Sequence, residues 1–134
     1  ARFSSLTGWH RDSRYWHFQK PELISAWLAL RDEKIENGCL LVLPGSHRWQ
    51  VEAGQLDGAQ FLRADVPANQ ALLAQAISVP LQQGDVLLFS SNLFHAAGCN
   101  QTGQTKFSMV FTYRAQDNLP ISDSRSASLP EILL

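Results

Sequence analysis

The sequence predicts an all-β fold, a sandwich or barrel of antiparallel strands. Three observations predict it. Short apolar, β-branched or aromatic runs recur along the chain, Gly- and Pro-containing turns separate them, and one short stretch alone reads as helix. Jelly rolls and cupin-like barrels belong to this class. With 134 residues, the chain has the length of a single domain, expected over residues 1–134 with a polar tail from about residue 118, of which Ser122 to Ser128 reads as mobile. A chain of this size can bury roughly two-thirds of its unfolded surface, so a real core is feasible.

The strands are placed by their apolar runs. Residues 24–30 are apolar and β-compatible, and residues 39–43 form a continuous apolar run closed by the Pro44-Gly45 turn. Residues 77–79 make a short strand that stops at Pro80. Residues 85–89 follow Gly84, and residues 107–113 alternate with β-branched and aromatic side chains. Glu36-Asn37-Gly38, Gln82-Gln83-Gly84 and Gln101-Thr102-Gly103 are turn sequences. The helix candidate is residues 69–76, rich in Ala and Leu.

Composition excludes several function classes. The net charge of −1 leaves no electrostatic footprint for nucleic acid or an anionic membrane. No apolar run has membrane-spanning length, and no secretory signal opens the chain, which starts Ala1-Arg2-Phe3 without an initiator Met. Cys39 and Cys99 make no disulfide framework and read as two small buried thiols in a reducing, cytoplasmic compartment. No phosphate-cradling glycine motif is present.

The chemistry-bearing feature is His10-Arg11-Asp12, answered far downstream by His95. On a strand, side chains two apart share a face, so His10 and Asp12 aim at one point and Arg11 points away. A third ligand from a distant strand completes a two-His-one-carboxylate set, which suits non-haem Fe(II) and leaves coordination sites open. Ser13-Arg14-Tyr15-Trp16-His17 is an aromatic and basic loop that reads either as a substrate lid or as packing over a barrel end. Trp27 lies on an apolar strand, where packing is the commoner role and pocket lining the alternative. Asp85 reads as turn chemistry and His47 as part of a structural turn.

In these residues the chain resembles the phytanoyl-CoA dioxygenase family. Trp9-His10-Arg11-Asp12 is similar to that family's iron-binding strand. Ala26-Trp27-Leu28-Ala29-Leu30, Glu36-Asn37-Gly38-Cys39-Leu40 and Leu43-Pro44-Gly45-Ser46-His47-Arg48 match its central stretch in order and spacing. Gly84-Asp85-Val86-Leu87-Leu88-Phe89, followed by His95 and Asn100, resembles its second metal strand. The resemblance covers roughly residues 8 to 115. It implies a double-stranded β-helix and an Fe(II)- and 2-oxoglutarate-dependent dioxygenase acting with O2 on a small organic molecule. Its implied iron ligands are His10, Asp12 and His95. Related halogenases replace the carboxylate with a small residue, so Asp12 points to hydroxylation or another oxidation.

Two features depart from the family pattern. Only nine residues precede His10, where members usually carry a substantial, partly helical segment that packs on the barrel. A barrel lacking that segment would leave apolar surface or strand edges to cover, so a homodimer is a possible assembly. It also leaves the alternative of a truncated or vestigial metal-binding domain without oxygenase activity. Secondly, the family's Arg for the far carboxylate of 2-oxoglutarate is matched here by Lys106, with Ser108 on the same strand face. Lysine neutralises a carboxylate as a point charge, without arginine's bidentate fork. Beyond the metal ligands no separate catalytic residue is expected. Arg14, Tyr15, Trp16, His17 and Trp27 are the substrate candidates.

Overall fold

The computed structural model describes residues 7–134; the Ala1-Arg2-Phe3 start lies outside them. Seven strands form two antiparallel sheets. β1 (Thr7–His10), β3 (Leu40–Val42), β4 (Ile77–Val79) and β6 (His95–Ala97) make one, in the order β1-β6-β3-β4. β2 (Leu23–Ala29), β5 (Val86–Ser90) and β7 (Ser108–Arg114) make the other, in the order β5-β2-β7. The chain passes repeatedly from one sheet to the other, as in a double-stranded β-helix. The five strands expected from apolar runs lie within one residue of their predicted bounds.

The helix forms two residues earlier than expected. α1 spans Pro67–Leu73, because proline's fixed φ suits the first helical position and its missing N–H is an orphan there anyway. The expectation of a mobile tail is corrected. α2 (Arg125–Ser128) is capped by Ser124, and Ser126 is buried, its Oγ accepting the His17 N–H at 2.8 Å. Asn118, also buried, accepts the Lys20 N–H and donates to the Lys20 carbonyl. These bonds fasten the tail to residues 17–20. Cys99 is likewise exposed, against the expected burial, while Cys39 is buried.

Pleat alternation decides what β2 presents to each side. Leu23, Ser25, Trp27 and Ala29 face inward, toward the other sheet. Ile24, Ala26 and Leu28 face outward, in register with Val86 and Leu88 of β5 and with Met109, Phe111 and Tyr113 of β7. Ala26 is buried on that outer face because Leu88 and Phe111 flank it. The larger neighbours stay open: Leu88 is 65% exposed and Phe111 44%. The tight apolar packing lies elsewhere, in the excursion between β3 and β4. There Leu43, Leu62 and Phe94 are buried together under Trp9, Trp49, Val51 and Leu56.

Because the described residues leave the outer face of β5-β2-β7 uncovered, charging it should cost little stability. Leu88→Lys and Phe111→Lys are each expected to change stability by no more than about 0.5 kcal/mol, a Tm shift of about 2 °C, while raising soluble recovery. A loss of several kcal/mol in thermal denaturation would show that the face is covered in solution.

Candidate metal centre

Strand pairing builds the site. β1 and β6 run antiparallel with His10 opposite His95, and the two ring centroids lie 4.4 Å apart. In each ring Nδ1 sits on a carbonyl two residues back: Gly8 at 2.8 Å for His10, Leu93 at 3.0 Å for His95. A ring that donates Nδ1–H to a carbonyl keeps Nε2 for a cation. Both Nε2 atoms face the Asp12 carboxylate, whose Oδ1 lies 3.7 Å from His10 and 3.3 Å from His95.

Asp12 is not on a strand, which corrects the expected placement. β1 ends at His10 and Asp12 opens a 3-10 turn, Asp12–Tyr15. The ladder stops because β6 starts at His95, and the preceding Phe94 N–H goes to Ser46 Oγ. Arg11 nevertheless keeps extended angles (φ −110°, ψ 138°), so the two-residue alternation survives one step past the ladder. Asp12 therefore stays on the side of His10. Ser25 of β2, fully buried, donates its hydroxyl to Asp12 Oδ2 at 2.6 Å and leaves Oδ1 aimed at the histidines.

Arg11 holds the other side of this junction. It donates to the carbonyls of Ser46 and Trp49 at 2.9 and 2.8 Å and lies over the Phe94 ring. The Pro44-Gly45-Ser46-His47 turn thus fixes both halves of the site: its Ser46 carbonyl receives Arg11, and its Ser46 hydroxyl receives the residue before His95. His47 itself is exposed.

His10, Asp12 and His95 each offer one ligand atom, all within 4.8 Å of one another. Two imidazoles and a carboxylate, every one oriented by a second hydrogen bond, are the donor set of a facial Fe(II) site. The electrostatics agree. Burial pulls the pKa of the His10 imidazolium down and the neighbouring His95 lowers it further, which together outweigh the Gly8 bond and the Asp12 carboxylate that raise it. Burial pushes the Asp12 carboxyl up, but His95, Ser25 and His10 together outweigh it and hold the carboxyl below its usual range.

A cavity of about 310 Å³ opens from these three residues into the space between the sheets. Trp27 of β2, Val110 and Thr112 of β7, and Leu40, Ala96 and Ala97 of the opposite sheet line it, with Tyr15 and Trp16 at the 3-10 turn. That volume is at the small end for an organic ligand. Arg14 and His17 are not among the lining residues. The Arg14 guanidinium lies over Phe61 and Tyr15 at 4.2 and 5.0 Å, and one of its nitrogens is buried without a partner. His17 is exposed.

Lys106 and Ser108 do not touch the cavity either. Ser108 shares the inward face of β7 with Val110 and Thr112, but Lys106 lies two residues before that strand, which corrects the expected common strand face. Lys106 Nζ donates to the Gly38 carbonyl at 2.7 Å, lies 3.5 Å from Glu33 Oε2 and sits over the Trp27 ring at 5.2 Å. The Glu33 side chain has no exposed surface. Its Oε1 accepts the Trp27 indole N–H at 2.8 Å, and its Oε2 has no hydrogen-bond partner. Gly38 is required there: its φ is +85°, and a Cβ would lie 2.4 Å from the Gly98 carbonyl oxygen. Sequence reasoning missed Ser25, Ser46 and Glu33. For Ser25 a signal existed, a small hydroxyl on an apolar strand two residues from Trp27; for Glu33 none did.

Two outcomes are expected. Both shifted groups have folded values below their ordinary ones, 6.5 for His10 and 3.8 for Asp12. Below those values the unfolded chain binds more protons than the folded one, so acid favours unfolding. The metal-free Tm should therefore fall as pH drops from 7.5 to 5 and again below 4, and His10→Gln should flatten the first step. Lys106→Met strands the Glu33 carboxylate in a closed site and should cost about 3 kcal/mol in denaturant unfolding. A loss below 1 kcal/mol would show that Glu33 is not held as an ion there.

Comparison with known proteins agrees with this geometry. Residues 2–108 match the family model described as phytanoyl-CoA dioxygenase. The ectoine dioxygenase of Halomonas elongata is 32% identical over 126 residues, covering 82% of this chain and 38% of that protein. Among solved structures, EvdO2 from Micromonospora carbonacea var. aurantiaca, complexed with 2-oxoglutarate, superposes at TM-score 0.60 with 25% identity over 89% of this chain and 51% of that one. The epimerase SnoN, in complex with Fe3+, alpha-ketoglutarate and nogalamycin RO, gives 0.61 and 27% over 81% and 41%. This chain thus spans well under two-thirds of the length of each of these proteins. These complexes and the His10–Asp12–His95 cluster support iron and 2-oxoglutarate as the cofactors. With the family model matched over most of its length, the chain belongs to the phytanoyl-CoA dioxygenase family.

Proposed function

We propose that this chain carries the catalytic barrel of an Fe(II)- and 2-oxoglutarate-dependent dioxygenase that hydroxylates a small organic molecule. The observation that carries the proposal is the convergence of His10 Nε2, Asp12 Oδ1 and His95 Nε2, each ligand oriented from behind by Gly8, Ser25 or Leu93. Bound iron would supply oxygen activation coupled to decarboxylation of 2-oxoglutarate. The rest falls to the protein. The two rings present lone pairs without a tautomer change, and Ser25 keeps Asp12 from rotating away. Trp27, Leu40 and Val110 keep the reacting face apolar, which limits water. Tyr15 and Trp16, on the turn that begins with Asp12, would meet the substrate, with Arg14 and His17 behind them.

Lys106 and Ser108 are proposed as the anchor for the far carboxylate of 2-oxoglutarate, because Ser108 continues the inward face of β7 beyond Val110 and Lys106, just ahead of the strand, lies over the cavity-lining Trp27 ring. Asp12 speaks against halogenation, since related halogenases carry a small residue in its place, and for hydroxylation or another oxidation. The cavity of about 310 Å³ suits a small organic molecule. A second reading, a metal-binding domain without oxygenase activity, draws on one observation: Lys106 already carries a carboxylate partner in Glu33.

Anaerobic addition of Fe(II) and 2-oxoglutarate should give a weak visible charge-transfer band, and admission of oxygen should release succinate. His95→Ala should abolish both and lower Fe(II) affinity at least tenfold. A band without succinate, in the presence of candidate substrates, supports the non-catalytic reading. No band and no iron binding would remove both.

A further inference from the structure

Glu33 is the charged group that the proposed reaction does not use. Its carboxylate is fully enclosed, one oxygen accepting from the Trp27 indole and the other, unpartnered, facing Lys106 at 3.5 Å. Lys106 in turn spends one N–H on Gly38 and stacks on Trp27. An ammonium has three donors, so the bond to Gly38 and the approach to Glu33 leave one for a ligand. Any ligand carboxylate that reached Nζ would share that single positive charge with Glu33, at close range and away from water, where like charges repel strongly.

We propose that Glu33 is a positioning residue that sets co-substrate selectivity: by sharing Lys106, it weakens the pocket's grip on the far carboxylate of a dicarboxylic 2-oxo acid. The inference rests on the functional reading above and on Lys106 as the anchor. The Lys106–Glu33 pair lies outside the cavity lining, beside the Trp27 ring, and is neutral as a unit, so it would discriminate poorly between 2-oxoglutarate and a 2-oxo acid with an uncharged tail. Trp27 couples the pair to the cavity, since its ring lines the cavity while its N–H holds Glu33. A lysine also fits this role better than an arginine. Arginine's fork could satisfy two carboxylates side by side, whereas lysine's point charge must be divided between them.

The test compares Kd for 2-oxoglutarate and for 2-oxopentanoate, which lacks the far carboxylate. Both are read from the anaerobic charge-transfer band of the Fe(II)-loaded chain and by calorimetry. The decisive quantity is their ratio, which a merely structural role would not move. Glu33→Gln keeps the Trp27 bond through its amide oxygen and should raise the preference for 2-oxoglutarate about tenfold. Lys106→Met should bring the two acids to near-equal affinity, and adding Glu33→Gln to it should then change nothing. Should Glu33→Gln lose cooperative melting, Lys106→Arg serves instead and should also raise the preference, because the fork serves both carboxylates. A ratio unmoved or lowered by Glu33→Gln in a folded protein, or by Lys106→Arg where Glu33→Gln does not fold, overturns the inference and leaves the oxygenase reading standing. No band with either acid in the unsubstituted chain removes the reading and the inference together.

Discussion

The site depends on one backbone constraint, the antiparallel register that sets His10 against His95 across β1 and β6. A slip of one residue would turn one imidazole out of the sheet's inner face, and no side-chain adjustment would recover it. The register is in turn secured from outside the ladder. Arg11 ties the end of β1 to Ser46 and Trp49, and Ser46 ties the start of β6 through Phe94. The Pro-Gly-Ser-His turn thus contributes no ligand and yet determines where two ligands meet. Its Gly45 has a φ of +76°, which lets the chain reverse tightly enough for Ser46 to serve both strands.

Burying a carboxylate beside two imidazoles is costly unless each polar atom has a partner. Here the partners come from three places: carbonyls at the rings' own strand edges, a hydroxyl from the opposite sheet, and the carboxylate itself. Ser25 matters most in this respect, because it links the sheets across the cavity. Its Oγ is the contact by which β2 reaches the ligand set, and on the same face of β2 lie Trp27 and, through the indole N–H, Glu33. One strand face therefore orients the carboxylate ligand at one end and bounds the anchor region at the other.

Much of this was legible in the sequence. Apolar runs closed by Gly or Pro placed five strands to within a residue, because half-buried strands advertise their period. No apolar run marks β1 (Thr7–His10) or β6 (His95–Ala97), and the motif residues alone marked them. His-x-Asp gave the correct side for Asp12 by an argument that was partly wrong. The alternation is a property of extended backbone, so it persisted through Arg11 after the hydrogen-bonded strand had ended. Lys106 was visible as a cation just ahead of β7. Its partner was not, since Glu33 sits in an isolated bridge to Leu81, 73 positions from Lys106, and nothing local distinguishes it from the exposed Asp32 beside it. The tail misled for a similar reason. Ser126 and Asn118 look like solvent-facing polar residues, and it is their long-range bonds to His17 and Lys20 that bury them.

The location of the apolar core explains how such a polar interior is tolerated. In an ordinary sandwich the space between the sheets is the core and supplies most of the stability. Here that space holds the ligands, Ser25 and an open cavity beside buried Leu23, Leu40 and Phe89, while Leu43, Leu62 and Phe94 pack as a separate cluster under the β3–β4 excursion. The excursion is anchored by polar contacts of its own. Fully buried Asn69, on α1, bonds the Gln55 and Arg63 carbonyls, and Gln55 returns the bond to Asn69. Phe94 belongs to both regions, being buried in the apolar cluster and adjacent in sequence to His95. A stable, dry cluster thus ends where the metal ligands begin, and the rigidity that close packing gives Phe94 passes directly to the imidazole beside it. Separating packing from chemistry in this way lets the inter-sheet space stay open without loosening the residues that must hold a cation.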